Sequence, residues 1–151
     1  MSENEAQAFV AEKHPELFRR RAALIVQVGT KNREIQNLIQ GQIDIKRQVD
    51  KIDDDMALLK AYYYAGVYNN PPVPLRERTI EKVIEAERAL EGIYPEMFER
   101  RRNLVVEFNA LKRQSIDEMQ FRADLLFQLE WANDDVEKAL GEEFIIIYHE
   151  R

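Results

Sequence analysis

Apolar residues in the first half of the chain recur at alternating steps of three and four. Val28, Ile35, Leu38, Ile45, Val49, Ile52, Met56, Leu59 and Tyr63, with Gln42 as the one polar member, form this series after its first, seven-residue step. Such a series is the seam of a helix that packs along its length against another helix. It predicts one long helix from Pro15 to about Ala61, on the order of 70 Å at 1.5 Å per residue. The second half carries a wider stripe: Leu104, Val105, Phe108, Leu111, Ile116, Met119, Ala123, Leu126, Leu129, Val136 and Leu140. A wide stripe implies more than one neighbour. Gly41 and Gln42 interrupt the first seam, and Ser115, Glu118 and Arg122 interrupt one face of the second. A wholly dry coiled coil is therefore not expected.

Punctuation divides these long segments from shorter ones. Short helices are predicted over about 4–13 and 77–93, each followed by a proline, Pro15 or Pro95. Proline suits the first turn of a helix, where its missing N–H has no partner to lose. Glu16 and Glu96 follow, setting negative charge at the positive end of the dipole. The Asp53-Asp54-Asp55 run offers an N-cap for a new helix, and Asn133-Asp134-Asp135 stands at the matching place. A break there is expected in both segments or in neither. Asn69-Asn70-Pro71-Pro72-Val73-Pro74 cannot continue a helix. Gly141 reads as a helix stop, and Phe144-Ile145-Ile146-Ile147-Tyr148 after it as a short strand. Its counterpart, 64–68, either pairs with it as a ribbon or stays helical. An exposed edge at Ile145–Ile147 would invite pairing with another chain.

The two halves resemble each other. His14-Pro15-Glu16-Leu17-Phe18-Arg19-Arg20-Arg21 returns as Tyr94-Pro95-Glu96-Met97-Phe98-Glu99-Arg100-Arg101, an offset of 80. Holding that offset without a gap, residues 5–71 match residues 85–151 at 16 of 67 positions. Apolar character is also kept at Ile25/Val105, Ile39/Met119, Ile45/Leu125, Val49/Leu129 and Met56/Val136. A register held over such a length points to an internal duplication. The expected fold is all-α: two tandem kinked-helix units forming a long antiparallel helical hairpin or coiled-coil bundle, with a short C-terminal strand. A closed four-element bundle is the other packing open to a duplicated hairpin. Residues 1–151 read as a single domain of two repeats, 5–71 and 85–151, joined by the Pro-rich turn 69–75.

Charge and composition narrow the function. A net charge of −6 argues against direct nucleic-acid binding, which needs Lys and Arg to neutralise phosphates. The same charge leaves room for a basic protein partner. With no cysteine in the chain, disulfides, thiolate metal sites and a Cys nucleophile are excluded. The first residues lack the basic and apolar regions of a signal peptide, and no apolar run nears the roughly 20 residues of a membrane span. A cytoplasmic protein is expected.

Candidate chemistry is sparse. The five glycines are isolated, so no phosphate-cradling loop exists. His14 and His149 lie outside the spacing of a helical di-metal site or a zinc site. Two serines and no nucleophile elbow leave little for Ser-His catalysis. The aspartates 53–55 can be read as a hard-cation site or as a solvated helix start, and the second is preferred. Arg19-Arg20-Arg21 and Arg100-Arg101-Arg102 are the most informative charges. Arg20, Arg21, Arg100 and Arg101 recur in register one turn past each proline. They read as a paired patch for an acidic partner or phosphate, or as salt bridges to Glu residues of the neighbouring short helix; the latter is preferred. Tyr62, Tyr63 and Tyr64 form either a binding face or aromatic packing near the hairpin end, and Trp131 belongs to a core or an interface.

The octapeptide from Tyr94 to Arg101, following a charged helix, is similar to the end of the long dimerisation helix in nucleosome assembly proteins. The acidic tail and β-rich half of that family have no counterpart here, and the motif is doubled, so the family is not assigned. No catalytic residue, cofactor or metal site is expected. The function expected is that of a non-catalytic helical assembly protein, a scaffold, adaptor or chaperone acting through helix–helix contacts with protein partners, itself included as a homo-oligomer. The alternative is an acidic protein that captures a basic partner, as a histone chaperone or an inhibitor would.

Overall fold

The computed structural model describes the backbone of residues 2–149 and the side chains of these except residues 3 and 144–149. Four helices account for nearly all of it: α1 (Glu3–Lys13), α2 (Pro15–Tyr64), α3 (Ile80–Ile93) and α4 (Pro95–His149), with a single 3-10 turn at Leu75–Glu77. No described residue lies in a strand.

The caps explain where the short helices start and stop. Ser2 and Glu5 close a capping box over α1: the Glu5 amide donates to Ser2 Oγ at 3.3 Å and the Ser2 amide to Glu5 Oε2 at 3.1 Å. Thr79 Oγ1 accepts from the Lys82 amide at 3.3 Å and so caps α3. Both helices end alike. The His14 amide bonds to the Val10 carbonyl and the Tyr94 amide to the Leu90 carbonyl, each at 2.7 Å. His14 (φ −128°, ψ 61°) and Tyr94 (φ −123°, ψ 58°) then leave the helical region, as a residue before proline is driven to do. The two expected breaks are therefore present, with matching geometry.

Other boundaries differ from expectation. The helix start near residue 77 is divided: the 3-10 turn ends at Glu77 and α3 begins at Ile80. Neither the aspartates 53–55 nor Asn133-Asp134-Asp135 interrupts its helix. Gly141 does not stop α4, and 144–148, expected as a strand, continues the helix to His149. Extending an existing helix adds one hydrogen bond per residue fixed, whereas starting a strand needs a partner edge. A lone glycine costs only about 1 kcal/mol against that gain.

The chain divides into two compact units, Met1–Asn37 with Gln114–Arg151 and Leu38–Arg113. In the first, α1 lies with the start of α2 and the end of α4, which run antiparallel: Arg20 meets Asp135 and Lys31 meets Glu118. Leu24, Leu125 and Ala132 form its core, with Val28 and Leu129 against them. Part of this seam is polar. Lys31 Nζ reaches Glu118 Oε2 at 2.7 Å and Glu34 Oε2 at 3.0 Å, Arg122 Nη1 donates to Asn32 Oδ1 at 3.0 Å, and Ser115 is buried. The residues that interrupted the second stripe are thus members of the seam. Hydrogen bonds to Glu118 and Glu34 hold the Lys31 ammonium above its ordinary 10.5. The Lys31 hydrogen bond holds the Glu34 carboxyl below 4.5. The Lys31 contribution is therefore full below pH 10.5 and lost above it; that of Glu34 is lost as pH falls through the acid range.

In the second unit, α3 lies with the end of α2 and the start of α4, again antiparallel: Gln42 Nε2 meets the Leu111 carbonyl and Asp53 meets Arg101. Ile45, Ile52, Met56, Leu90, Phe98 and Leu104 form its main core. Tyr63, Tyr64 and Ala86 form a second cluster. Fully burying Leu90 stabilises by roughly 1.5–3 kcal/mol, more than the ~1 kcal/mol of an N-cap. Val10, equally buried, does the same for α1. Helices this short are marginal alone; packing holds them.

All ten residues of the first seam are buried or half-buried. Buried positions also recur at the offset of 80: Ala6/Ala86, Val10/Leu90, Leu24/Leu104, Ile35/Ser115, Ile45/Leu125, Ile52/Ala132, Met56/Val136 and Tyr63/Glu143.

Two glycines should respond oppositely to alanine. Gly29 lies inside α2 with open space where a Cβ would stand, so Gly29→Ala should stabilise by about 0.5–1 kcal/mol. Gly66 sits at φ +84° with the Asn70 carbonyl 3.1 Å from a would-be Cβ, so Gly66→Ala should destabilise by about 1 kcal/mol or more. Thermal unfolding should show a rise for the first and a fall for the second.

Candidate functional site: an ion-paired cleft and an apolar helix face

An open cleft of about 430 Å³ in the second unit gathers several of the charged residues. Met56, Ala57 and Phe98 form its apolar part, and Asp53, Lys60, Glu87, Arg101 and Arg102 its polar part. Its cations are all engaged. Arg101 forks onto Asp53, Nε to Oδ1 at 2.6 Å and Nη2 to Oδ2 at 3.4 Å. Lys60 Nζ meets Glu87 Oε1 at 2.6 Å, and Arg102 Nη1 meets Glu91 Oε1 at 2.5 Å. The hydrogen bond to Asp53 raises the Arg101 guanidinium further above its already high ordinary value, so it stays charged. A cleft whose cations already hold carboxylates offers an anion little net attraction. Among the described residues, no three His, Cys, Asp or Glu side chains stand together as metal ligands.

The remaining arginines are placed as follows. Arg100 Nη2 donates to Gln48 Oε1 at 3.3 Å. In the first unit Arg20 Nη1 lies 3.6 Å from Asp135 Oδ2, and the Arg21 guanidinium sits 5.1 Å over the Phe18 ring. Of these pairs only Arg102–Glu91 joins an arginine to a short-helix glutamate; Asp53 and Asp135 belong to the long helices. The tyrosine run splits. Tyr62 is exposed, while Tyr63 and Tyr64 are buried with their rings edge to face at 6.0 Å. Arg78 lies 4.5 Å over the Tyr64 ring, and the Asn70 side-chain amide donates to the Tyr63 carbonyl. Burial and these partners make Tyr63 and Tyr64 core residues that fasten the 69–74 loop. Tyr68 and Tyr94 share a hydroxyl hydrogen bond at 3.1 Å, which raises the Tyr68 phenol above 10.

A feature outside the sequence-derived candidates lies on α4 in the first unit. Ile116 (52% exposed), Phe127 (61%) and Trp131 (60%) project to solvent. On an ideal helix they and Ala123 fall within an arc of about 80°, turned away from buried Leu125, Ala132 and Val136. Trp131 is thus neither core nor packed within its unit. A signal did exist in the sequence. At the offset of 80, Leu126, Phe127 and Trp131 correspond in sequence to Lys46, Arg47 and Lys51, and all six positions are exposed.

Floor and rim of the cleft should differ sharply in their contribution to stability. Phe98→Ala should cost roughly 3–5 kcal/mol, as truncating a buried aromatic does. Asp53→Ala removes a pair whose side chains are 44% and 39% exposed, so it should cost under about 1 kcal/mol, an effect that added salt shrinks. Urea unfolding at low and high salt checks both. Comparisons of the chain with protein-family models, with curated proteins and with solved structures find no match.

Proposed function

We propose that this chain is a non-catalytic helical assembly protein, a scaffold or adaptor that binds other proteins through exposed helix faces. The observation that carries the reading is the outward placement of large apolar side chains on regular helices. Ile116, Phe127 and Trp131 do this in the first unit, as do Ile25 and Val26; Leu58, Ile80 and Ile84 do so in the second. Exposed apolar groups set in stripes mark interaction surfaces more than scattered ones do. Charged groups support the same reading from the other side, since those of the cleft are spent on one another.

The reading includes an internal duplication of a proline-broken helix unit. The recurrence of buried positions at the offset of 80 and the matching breaks at His14-Pro15 and Tyr94-Pro95 support it. It also includes self-association, in a cytoplasmic setting and without nucleic acid. No helix among the described residues is long and apolar enough to cross a membrane.

A second reading, an acidic protein that captures a basic partner, is favoured by one feature. Residues 114–143 of α4 hold nine carboxylates against two cations, Arg122 and Lys138.

Size-exclusion chromatography with light scattering tests the assembly reading. A mass at a multiple of 17.9 kDa that rises with concentration is expected. A particle of 17.9 kDa at every concentration would contradict self-association.

A further inference from the structure

We infer that the outer face of α4 between Ile116 and Asp134 docks a cationic amphipathic helix of another protein. The inference rests on the helix-contact reading above and gives it a surface and a partner chemistry.

The apolar content of this face comes first. Phe127 and Trp131 each leave well over half of their surface to solvent. With aromatic side chains offering about 150–250 Å² apiece, they and Ile116 expose on the order of 300–400 Å². That equals the largest patch of a typical monomer. It falls short of the ~800 Å² per partner of a standard interface between whole proteins. One helix laid along the face fits the area better than a second copy of the chain does. From Ile116 to Trp131 the stripe runs about 22 Å, or four turns, the length of a partner helix of roughly 15 residues.

Charge then selects the partner. Asp117 and Asp124 border the stripe on one side and Glu130 and Glu137 on the other, with Asp134 at its end; all are exposed. None of these five has an ion pair among the described residues. A second copy presenting the same face would bring carboxylates against carboxylates. A helix with Lys or Arg beside its apolar stripe would pair with them, and an Arg over the Trp131 ring adds a cation–π contact.

The comparison between the halves supplies an independent argument. Lys46, Arg47 and Lys51 stand where Leu126, Phe127 and Trp131 stand in α4, and all six are exposed. A solvated helix face is well served by Lys and Arg, which also favour the helix more than Phe and Trp do. Folding alone therefore gives no reason for the apolar set. A ligand does.

The test titrates the full chain into a labelled Leu/Lys amphipathic peptide of about five turns and follows anisotropy, with emission of Trp131, the sole tryptophan, as a direct reporter. Binding should shift Trp131 emission to the blue, shield it from a soluble quencher and weaken with salt. Phe127→Arg with Trp131→Lys should weaken binding by at least about tenfold. Val67→Lys with Val106→Lys, comparably exposed apolar positions elsewhere, should leave it unchanged. Equal binding by the Phe127/Trp131 variant, equal binding of a Leu/Glu peptide or of a scrambled Leu/Lys peptide, or burial of Trp131 by raised protein concentration alone would overturn the inference. An oligomer in light scattering whose Trp131 emission ignores the Leu/Lys peptide would sink this inference and leave the assembly reading standing.

Discussion

Antiparallel packing of α2 against α4 is the interaction on which the rest of each unit depends. Leu24 and Val28 meet Leu125, Leu129 and Ala132 in one unit; Ile45, Val49, Ile52 and Met56 meet Phe98, Leu104 and Phe108 in the other. A helix seam is specific because knobs must find holes, so a slip by one residue would turn these side chains to water. Polar members sharpen the register. Lys31 with Glu118, Arg122 with Asn32, and Arg101 with Asp53 each lose their partner if the helices slide. Half-exposed pairs of this kind contribute little net stability. Each fits the observed alignment and would be broken in a shifted one.

The proline breaks convert that two-helix contact into units with a third wall. Without Pro15 and Pro95 the short helices would continue straight on, leaving Val10 and Leu90 without a core. The break costs a few backbone hydrogen bonds, each worth about 1 kcal/mol net. Complete burial of Val10 and Leu90, together with Ala6 and Ala86, offsets it. The His14 and Tyr94 amides bond back to Val10 and Leu90, so the same turn that ends each helix ties down its most buried residue.

Much of this was legible in the sequence, for identifiable reasons. The seam from Val28 to Tyr63 follows one clean period, and every member is sheltered. Pro15, Pro95 and the 69–74 loop act locally, so their effect could be read without knowing the partner surfaces. The misread places are those where local preference and context disagree. Ile145-Ile146-Ile147 favours a strand in isolation, yet α4 arrives already hydrogen-bonded and carries on past Gly141. Ser115, Glu118 and Arg122 looked like interruptions because a polar side chain in a seam is recognisable only once Lys31 and Asn32 are known to face it. Ile116, Ala123 and Leu126 share the period of a packed stripe and yet are exposed, since periodicity reports that residues share a face and not whether anything covers it. The sequence points Arg20 and Arg101 toward glutamates of the short helices, whereas Asp135 and Asp53 of the long helices stand beside them.

Zero-length carbodiimide coupling of dilute protein, followed by peptide mapping, tests the antiparallel register directly, because it joins only amines and carboxylates already in contact. The account predicts links between Lys13 and Glu143, Lys31 and Glu118, and Lys60 and Glu87, which lie 2.8, 2.7 and 2.6 Å apart. Links that instead join Lys31 to carboxylates near residue 140, or Lys13 to those near residue 118, would contradict it.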